Sequence, residues 1–474
     1  MGRQQVRNHA AAAACAVLER KRGGVRCSQC GLCLCFCLLS SFGQCGYTTA
    51  SNDGDNVSLQ LTPRLVPKLF LDGVKAKAIA CGERHTTVLA SSGDVWSFGS
   101  GESHQMGILD NVDQFQPQRA VGLGPAANNP IVSVSVGASI TAAVNDSGET
   151  YMWGYGVESP LPKLVEGLRG KFAQHCSVGS NQNVAVLTGS NKDLYEWQFD
   201  GAPLDAEEQH GSAAGEAGMG GTQADAAQDD HDGHAGGKGT PALNSSLRGK
   251  KLTAFSSGKN HYAVVTADGK LLAWGSNYLH ECGLKLPGEI SYMPHPLEVK
   301  FLSGPSTFIT DVRCSVEHSI ALDSLGRVHT WGTGFEGRLG HVSNADVPQP
   351  KVVQSLVDAK VVVKSIAIGP SNCGVVSTDG AVYMWGAGNG GQIGNDDLLP
   401  QFKPTLLKAM AQEKVTALAI GNYHAMALTE KHEVWTWGDN KFGQKRGESE
   451  HMHLLPLCGS IVMLTPVRCV CVVC

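Results

Sequence analysis

A short glycine-led element recurs seven times along this 474-residue chain, and in six copies a Trp-Gly or Phe-Gly pair ends it at one fixed distance. Gly82-Glu-Arg-His85 leads to Phe98-Gly99, Gly258-Lys-Asn-His261 to Trp274-Gly275, and Gly421-Asn-Tyr-His424 to Trp437-Gly438. Gly137, Ser315 and Gly369 open three more copies, which close at Trp153-Gly154, Trp331-Gly332 and Trp385-Gly386; the final glycine always lies 17 residues after the first position. Such a strict register marks one supersecondary unit copied many times.

The openings at 82, 137, 179, 258, 315, 369 and 421 are spaced 55, 42, 79, 57, 54 and 52 residues apart, a length suited to one small antiparallel sheet. Within the fourth unit, Tyr262-Ala-Val-Val-Thr266 runs into Ala267-Asp-Gly269 and then Leu271-Leu-Ala-Trp274, which predicts a hairpin on an Asp-Gly turn. Comparable turns follow at Asp146-Ser-Gly148, Asp323-Ser-Leu-Gly326 and Thr378-Asp-Gly380. A sheet this small cannot bury both faces alone, so neighbours must stack, and a closed ring leaves no long open edge. The expected fold is therefore all-β, a seven-bladed β-propeller over residues 40–457. Gly82, Gly137, Gly258, Gly369 and Gly421 serve as structural openings, and Trp153, Trp274, Trp331, Trp385 and Trp437 pack between blades.

The third unit departs from the pattern. Gly179-Ser-Asn-Gln182 reaches Trp197-Gln198 after 19 residues, with Gln182 in the fourth position and no second glycine, although Val184–Leu187 and Leu194–Trp197 still read as a strand pair. Residues 200–242, rich in Gly, Ala, Asp and Glu, hold too few large apolar side chains to offset their ordering entropy and are expected to form a disordered loop between blades. Asp229-Asp-His-Asp-Gly-His234 resembles a metal-binding run, but without a rigid scaffold it reads as solvated acidic loop, and no metal or cofactor is expected. Residues 40–70 are expected to bear a strand that helps close the ring beside the last unit, and Gly31–Gly46 can be laid over half a blade.

A second signature follows the aromatic-glycine pair: Ser103-His-Gln-Met-Gly107, Gly337-Arg-Leu-Gly340, Gly391-Gln-Ile-Gly394 and Gly443-Gln-Lys-Arg446, with Pro117, Pro348, Pro404 or Pro456 further on. Taken together these motifs resemble the repeat of the regulator of chromosome condensation family across about residues 40–457. The fourth position of the opening departs from His at Ile140, Gln182 and Asn372; Ser315 replaces a glycine and Arg446 another. The resemblance implies a protein-binding platform or, alternatively, a guanine-nucleotide exchange factor for a Ran-like small GTPase. It points to His424 in the last opening and His280 in a blade-ending loop as partner-facing residues; His104, in the first closing motif, is the third candidate. The ultraviolet-sensing relatives are disfavoured, because their extra opening tryptophan is replaced here by Glu83, Ala138, Ser180, Lys259, Val316, Pro370 and Asn422.

No enzymatic constellation emerges. His85, His261, His318 and His424 stand at equivalent repeat places, where a structural role is expected. The net charge is −5, and residues 200–242 hold nine Asp or Glu against Lys238, so the remainder sums to +3 and a broad nucleic-acid-binding face is not indicated. Five cysteines (81, 176, 282, 314, 373) lie singly within repeats, as expected of small buried side chains in a reducing compartment. The Cys27-x-x-Cys30-x-x-Cys33-x-Cys35-x-Cys37 cluster lacks a second ligand pair for zinc.

Residues 1–39 read as a basic, then Cys-rich tail and 458–474 as a Cys-rich one. The arginines of residues 1–26 suit a mitochondrial transit peptide as well as a basic tail, and the expected compartment is cytoplasmic or nuclear, alternatively mitochondrial. Leu32–Leu39 is too short to span a bilayer, and Cys471-Val-Val-Cys474 fits a prenylation box only formally, so no membrane anchor is expected; the protein is expected to be a monomer.

Overall fold

Most repeat units form the predicted hairpin because alternating apolar residues flank a turn in which glycine takes a positive φ; in the last unit His432 takes it instead, at 64°. Gly148, Gly269, Gly326 and Gly380 lie at φ values of 81°, 77°, 74° and 89°. The computed structural model describes residues 18–21, 24–27, 59–157, 159–189, 192–199, 239–285, 290–300 and 307–440. Residues 41–444 form one compact unit; a separate unit holds residues 1–40 and 445–474, and its described part is a hairpin of Leu18–Lys21 with Gly24–Cys27. No helix among the described residues is long and apolar enough to cross a membrane.

The larger unit is a seven-bladed β-propeller of four-stranded antiparallel sheets. The inner strands Ala76–Cys81, Ile131–Val136, Ala173–Val178, Leu252–Ser257, Ile309–Cys314, Val363–Ile368 and Val415–Ile420 end beside a central shaft of about 370 Å³. Second strands are buried along their whole length, as in His318–Asp323 and Asn372–Ser377. Third strands end on the aromatic-glycine pair, and Trp153, Trp197, Trp274, Trp331, Trp385, Trp437 and Phe98 are among the largest fully buried side chains. Between blades they form the walls of the core.

The ring is closed by chain ends far apart in sequence. Leu59–Leu65 is the outer strand of the last blade and pairs antiparallel with Val434–Asp439, from Leu59 opposite Asp439 to Leu65 opposite Trp435. This meets the expected closing strand between residues 40 and 70. Its Pro63 also explains the recurring prolines, since Pro117, Pro350 and Pro404 occupy outer strands where the ladder shifts register. An outer strand tolerates a missing N–H at an irregularity. Pro63, not Pro456, fills that place in the last blade, and Pro350 rather than Pro348 aligns in the fifth. Residues 441–457 and the Gly31–Gly46 overlay lie outside the described residues.

Two expectations about the third unit need correction. The insertion leaves after Leu194–Gln198 and returns as Ala242–Leu243, the outer strand of the same blade, so it interrupts blade three rather than separating it from blade four. The described chain resumes at Gly239, whose N–H bonds Gln198 O at 2.9 Å; residues 200–238 lie outside the described residues. The residue equivalent to the opening histidine is Asn183, not Gln182: Gly179 N–H closes onto Asn183 O as Gly82 N–H does onto His85 O. Gln182 is an extra residue with φ +59°.

Candidate interaction surface

The openings pack against one another around the shaft. A Cβ on Gly82, Gly137, Gly369 or Gly421 would come 2.4–2.6 Å from the carbonyl oxygen of the next opening residue, and on Gly179 within 2.0 Å. Glycine is therefore required by close approach, and the one exception adapts chemically: Ser315 Oγ donates to Gly369 O at 2.7 Å.

Behind this ring, the histidines seal seams between blades. His85 Nε2 lies 2.8 Å from Thr141 Oγ1, His261 Nε2 2.9 Å from Ser319 Oγ, His318 Nε2 3.4 Å from Cys373 Sγ, and His424 Nε2 2.9 Å from Thr86 Oγ1. Thr141 and Ser319 spend their protons on Gln105 O and Glu281 O, so His85 and His261 donate through Nε2–H. Burial pushes the pKa of His85 down to about 3 and those of His261 and His424 to about 4, leaving neutral rings.

Each partner is the residue just after the opening's fourth position in the following unit. Where a unit lacks the histidine, at Ile140, Asn183 and Asn372, the facing residue is Val184, Tyr262 or Ala425.

The closing motifs complete the seams from outside. The residue two positions before their final glycine offers its main-chain carbonyl to the indole of the next blade: Trp153 Nε1 donates to Gln105 O at 2.9 Å, Trp331 to Glu281 O at 2.9 Å, Trp385 to Arg338 O at 3.0 Å and Trp437 to Gln392 O at 2.9 Å. Blade two has no such motif, and Trp197 Nε1 finds no partner among the described residues. Blade three lacks it too, but there the Glu196 side chain substitutes, accepting from Trp274 Nε1 at 3.1 Å and Asn244 Nδ2 at 2.9 Å. Burial raises the pKa of Glu196 to about 7, against those two hydrogen bonds.

In an antiparallel four-stranded blade, the connection between strands one and two and that between strands three and four emerge at the same end. Openings, closing motifs and the root of the blade-three insertion therefore share one face of the propeller, here called the loop face. It exposes Tyr155, Tyr278, Phe335 and Tyr423, the first three at 58 %, 76 % and 57 %.

Of the three histidine candidates, His424 is fully buried in the seam between last and first blades, and its ring meets a side-chain hydroxyl rather than backbone. His104 and His280 are half-buried on the loop face, at the left-handed position where blades five and six use Gly337 and Gly391, with φ values of 56° and 64°. The structure does not bring the three together: His104 and His280 belong to closing loops of blades one and four, His424 to the interior. Among the described residues no three His, Cys, Asp or Glu side chains form a group able to hold a metal.

The family model described as Regulator of chromosome condensation (RCC1) repeat matches residues 92–144, 268–322, 326–376 and 379–428, and a second model of that description matches 76–105, 252–282 and 415–444. The chain is 27 % identical over 383 residues to the Ultraviolet-B receptor UVR8 of Arabidopsis thaliana, covering 78 % of each protein. It is 26 % identical over 389 residues to the E3 ubiquitin-protein ligase HERC2 of Mus musculus, of which it spans only 6 % while 81 % of this chain is covered. Among solved structures it resembles Prp20p of Saccharomyces cerevisiae, with a TM-score of 0.64 at 18 % identity, covering 84 % of this chain and 91 % of that one.

Proposed function

The chain belongs to the regulator of chromosome condensation repeat family, and from this premise we propose that its propeller is a protein-interaction platform whose loop face grips a partner. The observation that carries this reading is a division of labour. The repeat histidines and tryptophans are consumed by the seams, whereas the loop face presents Tyr155, Tyr278, Phe335 and Tyr423 to solvent. Aromatic side chains of this kind anchor interfaces because they bury much area at small entropic cost. His104 and His280 support the same reading. A non-glycine residue in the left-handed region costs about 1–2 kcal/mol, and the loop face carries several, with His104 and His280 joined by Glu336, Val342 and Asp396.

The alternative is guanine-nucleotide exchange on a Ran-like GTPase, favoured by the likeness to Prp20p, whose structure is described with its binding to Gsp1p and histones. Exchange requires differential binding of the nucleotide-free GTPase rather than acid-base chemistry. Of the two histidines that the family resemblance assigns to that contact, His424 is enclosed and His280 alone reaches the loop face. Ultraviolet sensing through opening tryptophans is disfavoured despite the identity to UVR8, because the second position of every opening lacks one. The test is GDP release from Ran with and without the purified protein. Unchanged release agrees with the platform reading; acceleration of a hundredfold or more would replace it by exchange.

A further inference from the structure

The charge on the loop face is not spread evenly. On the described loops of blades five, six and one it carries Glu317, Glu336, Asp396, Asp397, Glu83, Glu102 and Asp110, and blade seven between them contributes Asn422 and Tyr423. The only cations there are Arg338, held by Glu317 at 3.1 Å and itself buried, and Arg84, 3.7 Å from Glu83. Glu102, Asp110 and Asp396 are exposed and Glu336 half-buried. These loops are physically continuous: Val342 N–H bonds Phe402 O across blades five and six, Gly390 abuts Tyr423 of blade seven, and Asp396 N–H bonds Leu61 O of the closing strand. Apolar side chains stand among the carboxylates, with Phe335, Val342, Leu399 and Leu109 exposed by 57 %, 69 %, 66 % and 67 %.

We propose that this acidic arc, running from blades five and six past blade seven to blade one, is the docking surface for a segment of a partner protein rich in lysine or arginine and carrying a few apolar residues. The inference rests on the platform reading and specifies the partner's chemistry. Carboxylates strung over three blades, without a group of three able to hold a metal among the described residues, match cations spaced along a chain rather than a single ion. Like charges on neighbouring loops repel one another in the free protein, so a cationic partner relieves that repulsion as it binds, and the same field speeds encounter. The interspersed apolar side chains supply the desolvated contacts that make such an interface persist.

The experiment is a fluorescence-anisotropy titration of the full chain with a labelled twenty-residue peptide alternating Lys or Arg with Leu. A second peptide with Glu at every cationic position is the control. Binding of the cationic peptide alone, weakening as salt rises from 50 to 300 mM, is expected. The variant Glu102→Lys, Asp110→Lys, Glu336→Lys, Asp396→Lys should then bind at least tenfold more weakly. The variant Asp72→Lys, Asp146→Lys, Asp358→Lys, Glu430→Lys alters net charge equally on exposed acids of the opposite face and should stay within threefold of the native protein. Equal loss in both variants, or no binding by the native chain at 50 mM salt, overturns the arc. If cellular partners are retained equally by the native chain and the arc variant, the platform stands and the arc falls; if no partner is retained by either, the platform itself falls.

Discussion

Nε2 of His424 lies 2.9 Å from Oγ1 of Thr86, joining residues 338 positions apart across the seam where the last blade meets the first. Both side chains are fully buried, so the contact closes the ring from inside while Leu59–Leu65 closes it from outside. His424→Ala would leave the Thr86 hydroxyl without this partner and open a gap beside Gly421. The expected cost is roughly 1–3 kcal/mol of stability, with partner affinity unchanged once folding is accounted for. Chemical denaturation and a binding titration on this one variant check both halves; unaltered stability with weakened binding would place His424 at the partner surface.

The seams also set the pH response. Histidines whose folded pKa is depressed cost nothing above about pH 6.5, where both states are neutral. Below it the unfolded chain takes up protons that the fold refuses, at roughly 1.4 kcal/mol per pH unit for each group, until pH reaches about 4 for His261 and His424 and about 3 for His85. Glu196 runs the other way. Its folded pKa is raised to about 7, so its contribution is complete below pH 4.5 and lost as pH climbs through 7. Glu196→Gln keeps an acceptor for Trp274 and should raise the melting temperature at pH 8 while changing it little at pH 4.5. A gain of equal size at both values would show that Glu196 titrates normally.

Trp331 and Trp197 are equally buried, but only Trp331 donates its indole N–H to a carbonyl, that of Glu281. Trp331→Phe should therefore cost about 1 kcal/mol more than Trp197→Phe, and Trp331→Ala about 3–5 kcal/mol as a large core truncation. Equal losses for the two phenylalanine variants, measured by urea unfolding, would contradict the assignment of Gln105, Glu281, Arg338 and Gln392 carbonyls as seam acceptors.

Removal of residues 202–238, between the third and outer strands of blade three, should shift the melting temperature by no more than a few degrees, because the composition offers few apolar contacts to lose. The cut must stop before Gly239, whose N–H is bonded to Gln198 O. Cooperative loss of folding on deletion would show that the insertion is part of the core.

The ring was readable because six hairpins obey one register, and each invariant residue answers a local need: glycine for close approach at the shaft, tryptophan to fill the gap between blades. Blade three departs from the sequence register by one residue because two insertions of one residue each, Gln182 in the opening and one in the hairpin turn, mimic a simple lengthening. The closing strand was expected only loosely; Gln60-Leu-Thr-Pro63 follows the pattern of Gln401-Phe-Lys-Pro404, a signal that would have located it. The seam partners were legible as well, since each His in one unit is matched by Thr, Ser or Cys after the fourth position of the following unit. Glu196 was not: nothing local distinguishes it from an exposed strand residue, and its role exists only because blade three lacks a closing motif. Nor could the acidic arc be read from net charge, which averages over both faces.

The central claim, that the loop face is the platform, is tested most directly by one comparison of partner retention. Immobilised native protein is measured against Tyr278→Ala, Phe335→Ala, Tyr423→Ala on the loop face and against Phe70→Ala, Phe172→Ala, Phe308→Ala on the opposite face, each shown to melt like the native chain. These six side chains are all exposed, so surface aromatic content falls equally in both variants. The account predicts that specifically bound cellular proteins are reduced at least tenfold by the first variant and retained by the second. Retention by the loop-face variant with loss in the other would contradict it.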